Sequence, residues 1–176
     1  DRNGAQGIGM TGAAAASVIG NRITGNNADG YVTKGGMGFS AGIKVTSSHD
    51  VVIEQNVVVG NAASGVWFDL GNSGGRIASN YVARNDRNGI IAEVSNRFDI
   101  VSNVVAENQH DGIRLAGMSF VRVVNNTSFD NARDISIHEN TRRVGSPGAT
   151  YCTPTNDCDT HDLMLRGVIA NSQSLI

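Results

Sequence analysis

The chain has 176 residues and a formal net charge of −2, enough for one domain with a real core, and with no electrostatic pull towards nucleic acid or an anionic membrane. Glycine is abundant at 22, but 40% of the residues are hydrophobic, mostly Val, Ile and Ala, which argues against disorder. No apolar run reaches the roughly 18 residues that a membrane-spanning helix needs.

Taken in chain order, the elements form a repeat. Pairs of asparagines five apart recur at Asn21 and Asn26, Asn56 and Asn61, Asn80 and Asn85, Asn103 and Asn108, and Asn126 and Asn131. From Asn56 onward the first member of each pair recurs at intervals of 24, 23 and 23 residues. Between Asn26 and Asn61 the interval stretches to 35, which places an insertion of about 12 residues at about 30–41. Four residues after the second asparagine stands Gly30, Gly65, Gly89 or Gly112; Gly7 and Gly42 open similar strands, and Gly7 reads in phase with Gly30.

After each glycine the chain alternates. Ile43 and Val45, Val66 and Phe68, Ile90 and Ala92, Ile113 and Leu115, and Ile135 and Ile137 make one apolar face. A second short strand precedes the first asparagine of each pair, carrying Val18, Ile53, Ile77, Ile100 and Val123. One such unit cannot bury its apolar face alone, whereas stacked units can, each strand pairing with its copy about 4.8 Å away. The period is too short for propeller blades and lacks the leucine pattern of leucine-rich repeats. The expected fold is all-β: a right-handed parallel β-helix of about six to seven coils of ~23 residues. The asparagines read as a turn ladder, able to adopt the left-handed conformation of sharp turns and to hydrogen-bond up the axis.

Residues 139–162 break the repeat and hold both prolines and both cysteines. Cys152 and Cys158 read as a short-loop disulfide, which indicates an oxidising compartment. Asp157, Asp159, His161 and Asp162 cluster there, either as a solvated polar loop or as a Ca²⁺ or Zn²⁺ site. The chain starts at Asp1 and shows no capping element at either end. A single β-helix domain over 1–176, part of a longer protein, is therefore expected.

The stretches GIKVTSSHDVVIEQNVVVGNAASGVWFDLGN and NGIIAEVSNRFDIVSNVVAENQHDGIRL resemble secreted bacterial right-handed β-helix repeat proteins of the pectate-lyase and alginate-epimerase type. The resemblance covers roughly residues 4 to 140. It implies a secreted, polysaccharide-directed protein but no particular activity. The Asp-Pro-His-Asp motif of alginate epimerases is absent, as are the adjacent aspartates of polygalacturonases.

If residues one and three after each glycine point inward, residues two and four point outward. The second-position column reads Lys44, Trp67, Ile91, Arg114, Ser136, and the fourth reads Thr46, Asp69, Glu93, Ala116, His138. Asp69 and Glu93 then stand on neighbouring rungs, so one carboxyl should titrate high unless a cation lies between them. A solvated charge ladder, with Lys44 pairing Asp69 and Arg114 pairing Glu93, is the plain alternative. Trp67, the only tryptophan, is either an exposed platform for a sugar ring or a residue buried under the 30–41 insertion. His138, two coils from Glu93, reads as a weaker substrate-binding candidate.

Three functions fit. In a glycoside hydrolase, Asp69 and Glu93 are general acid and nucleophile or base. In a uronate lyase or epimerase they hold Ca²⁺ while Lys44 or Arg114 moves the proton. In a non-catalytic carbohydrate-binding or structural β-helix, like an adhesin or fibre, they do neither. Polysaccharide is the expected partner in each, with no nucleic acid and no membrane.

Overall fold

The computed structural model describes residues 1–32 and 40–171. Valine and isoleucine dominate the short strands, as expected for side chains that pack on a pleated surface. The first coil holds β1 (Gln6–Thr11), β2 (Ser17–Ile19) and β3 (Arg22–Thr24). The second holds β4 (Ala41–Thr46), β5 (Val52–Glu54) and β6 (Val57–Val59), and the third β7 (Ser64–Asp69), β8 (Arg76–Ala78) and β9 (Tyr81–Ala83). In the next two coils the first two strands merge: β10 (Ile90–Val101) precedes β11 (Val104–Ala106), and β12 (Asp111–Val124) precedes β13 (Thr127–Phe129). The sixth holds β14 (Arg133–His138), β15 (His161–Arg166) and β16 (Ile169–Ala170).

Every strand pairs in parallel with its counterpart one coil away. The molecule is thus a parallel β-helix of six coils among the described residues, each coil contributing three faces. The first two faces form one ten-stranded sheet, folded at a corner that β10 and β12 cross without a break; the third face is a sheet of six strands. Inside, the columns predicted from sequence stack in register: Ile8, Ile43, Val66, Ile90, Ile113, Ile135 on the first face, and Val18, Ile53, Ile77, Ile100, Val123 on the second. The third face adds Ile23, Val58, Val82 and Val105. Phe68 and Phe98 meet edge to face at 4.9 Å in the middle of this core.

Both asparagine positions run as buried ladders. Along the first, Asn56 Nδ2 donates to Asn80 Oδ1 at 3.0 Å, and Asn80 to Asn103 and Asn103 to Asn126 at 2.9 Å. Along the second, Asn61, Asn85 and Asn108 each donate to the next, and the ladder ends on Asp134 through Asn131. A third, shorter ladder through Ser48, Asn72 and Ser95 turns the corner between the first two faces.

Two expectations are corrected. The left-handed residue at each ladder corner is not the asparagine but the one before it, for example Gln55 (φ 57°), Ser79 (φ 55°), Arg84 (φ 53°) and Glu107 (φ 55°). That residue makes the turn, which leaves the asparagine free to point its amide inward, where backbone groups need partners. Gly7 stacks not on Gly30, which lies in a turn closed by its N–H to Asn27 O, but against Gly42. Most of the 30–41 insertion lies outside the described residues.

Candidate functional site

The outward columns of the first face stack as Lys44, Trp67, Ile91, Arg114, Ser136. Thr46 pairs with Asp69, Glu93 with Ala116, and Ala116 with His138. The Glu93 carboxyl lies beside that of Asp69 on the adjacent coil, close enough for Asp69 to act on it directly. Burial, then the charge and hydrogen bond of Asp69, push Glu93 up from 4.5 to about 7, against the pull of Arg142 and Lys44. Asp69 Oδ2 accepts from Lys44 Nζ at 2.8 Å, whereas Asp69 Oδ1 is buried without a donor from another residue. A proton held on Glu93 would supply that donor.

Lys44 is only 5% exposed. Burial lowers its pKa, with Asp69 opposing. Its ammonium also sits 2.9 Å from the centroid of the Trp67 ring, a cation–π contact that covers one face of the indole. Trp67 is therefore a half-buried wall of the site, not an open platform. Arg114 does not pair with Glu93. It donates to Asp111 Oδ2 at 3.2 Å, beside Ser136 Oγ at 2.7 Å, while Arg133 Nε donates to Asp111 Oδ1 at 2.6 Å. Burial opposes the charge on Asp111, but the bonds from Arg133, Ser136 and Arg114 hold its carboxyl below the usual range.

Asp111, Arg133 and Asn88 were missed by the alternation rule. Asn88 and Asp111 occupy the position before the glycine, and Arg133 the same position before Asp134, which strict alternation turns inward. A Cβ on Gly65 would lie 2.7 Å from Gly89 O, pointing inward, so the glycine takes the inward place and the residue before it faces out. The composition of that column (Ser64, Asn88, Asp111, Arg133) was the available signal.

Residues 139–160 leave the coil between β14 and β15 and fold back over the corner beside the acid pair. Tyr151, Ala149, Cys152 and Cys158 pack on Leu70 and Val94, the residues that follow Asp69 and Glu93. Asn156 Nδ2 donates to Val94 O at 3.1 Å, and Asn96 Nδ2 to Thr155 O at 2.7 Å. From this excursion Arg142 comes within 3.8 Å of Glu93 while donating to Tyr151 Oη at 3.2 Å. Nothing in the sequence pointed to Arg142. Cys152 and Cys158 form a disulfide with a Cα–Cα distance of 5.5 Å. Closing a loop of sequence separation 6 contributes about 2 kcal/mol in the chain-entropy model, so the double Cys152→Ser, Cys158→Ser variant should lose about that much in denaturant unfolding.

Together these residues enclose a cleft of about 490 Å³ lined by Trp67, Asp69, Glu93, Asp111 and four arginines, Arg87, Arg114, Arg133 and Arg142. His138 lies outside its lining; burial first, then Arg114, lowers its pKa. Two carboxylates fall short of the six to eight oxygens Ca²⁺ takes, and Lys44 and Arg142 already serve them as cations. The Asp157–His161 cluster is knit internally: His161 contacts Asp157 and Asp162 at 2.9 Å each, and those bonds raise its pKa. Among the described residues, no group of three or more His, Cys, Asp or Glu is arranged to hold a metal ion.

The family model described as the right handed beta helix region matches residues 1–128. The chain belongs to that family. No curated protein matches this β-helix. Among solved structures it is similar to the A-module of the mannuronan C-5 epimerase AlgE4 of Azotobacter vinelandii (18% identity, TM-score 0.69, covering 93% of this chain and 42% of that one). It is also similar to the periplasmic alginate epimerase AlgG (16%, TM-score 0.64, 95% and 48%) and to the Dettilon tailspike protein (25%, TM-score 0.60, 74% and 29%). The β-helix thus spans less than half the length of each of these neighbours, and the likeness to the two epimerases is one of fold.

Proposed function

We propose that this β-helix acts on an acidic polysaccharide outside the cytoplasm, moving a proton at C5 of a uronate unit with the Asp69–Glu93 pair. One arrangement carries the reading: Glu93, raised to about 7 by burial and by Asp69 beside it, stands in a cleft lined by four arginines. A group poised near the working pH is suited to proton transfer. Removing the proton beside a carboxylate leaves a doubly charged species, and guanidinium groups, which keep their charge and fork onto carboxylates, stabilise it. Loss of the C4 substituent then gives a lyase, and reprotonation from the opposite side an epimerase. Two neighbours are named as alginate epimerases, which supports a uronate substrate. The Cys152–Cys158 disulfide supports an extracytoplasmic location.

A hydrolase is less well supported. Carboxyls close enough for Asp69 to raise Glu93 directly sit side by side, whereas retaining enzymes separate theirs by about 5–5.5 Å across the glycosidic bond. Binding without turnover is the second reading, favoured by the cations that already serve both carboxylates. Incubation with acidic polysaccharides in D₂O separates these outcomes. Deuterium at C5 by NMR, or the ultraviolet absorbance of an unsaturated uronate, is expected. New reducing ends without unsaturation would indicate hydrolysis instead, and unchanged but bound polymer would reduce the protein to a binding module.

A further inference from the structure

The groove does not stop at the acid pair. On the N-terminal side of Lys44 and Asp69 it continues into a second cleft of about 410 Å³, floored by coils one to three. Asp69 lines both clefts, so the two adjoin at that residue. Their chemistry differs. Among the described residues, the only charged groups lining the second cleft are Lys44 and Asp69, which neutralise each other at 2.8 Å. The rest is polar and uncharged: Thr11 and Thr46 share a hydrogen bond of 2.9 Å, and Gln6 stands beside them. Gly9 occupies the column position where the later coils carry Lys44, Trp67 and Arg114, and the uncharged Gln6 side chain lies over it. The first cleft, by contrast, sets four arginines against three carboxyls.

We infer that the channel is polarised, with cationic subsites over coils three to six for acidic sugars and neutral subsites over coils one to three for uncharged ones. This rests on the proposed polysaccharide function and narrows it: the preferred substrate is a mixed glycan in which a uronate is followed by a neutral sugar, not a homopolyuronate. Rungs about 4.8 Å apart match the advance of an extended glycan by roughly one sugar per coil, so each unit meets a defined coil. Among the described residues, a carboxylate in the second cleft finds no free cation and loses hydration without compensation. A neutral sugar finds the hydroxyls of Thr11 and Thr46 there.

The test compares two oligosaccharides of equal length by titration calorimetry: uronate only, and uronate alternating with N-acetylhexosamine. The parent should bind the alternating oligomer at least about tenfold more tightly. Thr11→Lys, at an exposed position, and separately Thr46→Arg, should tighten the uronate-only oligomer and narrow that ratio. Equal or tighter binding of the uronate-only oligomer by the parent, or a ratio that both variants leave unchanged, overturns the polarity while the acidic-polysaccharide reading stands. Failure of both oligomers to bind takes both readings down.

Discussion

Glu93→Gln is expected to be at once inactive and, above pH 7, more stable than the parent. Loss of the proton-transferring group should cost at least about a hundredfold in turnover. Stability moves the other way, because the folded state holds the Glu93 proton more tightly than the unfolded chain does: its carboxyl titrates at about 7 instead of 4.5. A raised carboxyl contributes stability that is fully present below pH 4.5 and is lost as pH rises through about 7. The loss is on the order of 2–3 kcal/mol for a group whose side chain is only 15% exposed. Glutamine keeps a donor for Asp69 Oδ1 and has no charge to bury, so its stability should not fall over that window. Denaturant unfolding of both proteins at pH 5 and pH 8 checks this. His161, whose pKa is also raised, falls in the same direction in both and cancels in the difference. A parent-minus-variant difference that stays flat from pH 5 to pH 8, or a variant that turns over normally, would remove Glu93 from its assigned role.

The second large effect lies in the ladder. Asn80→Ala deletes an amide that accepts from Asn56 N and Nδ2 and donates to Ile53 O and Asn103 Oδ1, all within 3.0 Å. Asn56 N, Asn56 Nδ2 and Ile53 O then lose their Asn80 partner where water cannot replace it. Unpaired buried polar groups cost about 1–3 kcal/mol each, so the variant should lose about 3 kcal/mol or more. Asn21→Ala, at the exposed end of the same ladder, removes donors to Asn56 Oδ1 and Ile19 O that water can replace, and should cost about 1 kcal/mol or less. Similar unfolding midpoints for the two variants would mean that burial of the amide is not the source of the ladder's stability.

The ladder also explains why the fold was legible. An amide that bonds its own copy on the next coil works only if the same residue returns at the same place. Physical stacking therefore writes itself into the chain as Asn-x₄-Asn every 23 or 24 residues. The inward columns were legible for the same reason, and within each strand alternation exposed Lys44, Trp67, Asp69 and Glu93 to view. Legibility failed where the backbone departs from alternation. Inward-facing Gly112 and Asp134 leave Asp111 and Arg133 facing outward, and the left-handed residues before each asparagine turn the corners that the asparagines were expected to turn.

By itself, then, the sequence determined the coil, its period, the inward columns and the vertical neighbours on the outward face, because each of these repeats and a repeat can be aligned with itself. Only the tertiary structure decided that Arg114 turns to Asp111 instead of Glu93, that Lys44 covers the indole, and that Arg142 arrives at the acid pair from about fifty residues away in the chain. The excursion that carries Arg142 occurs once and has no copy to be compared with. Its landing place depends on which apolar surfaces it finds uncovered, here Leu70 and Val94, and that is settled by packing in three dimensions.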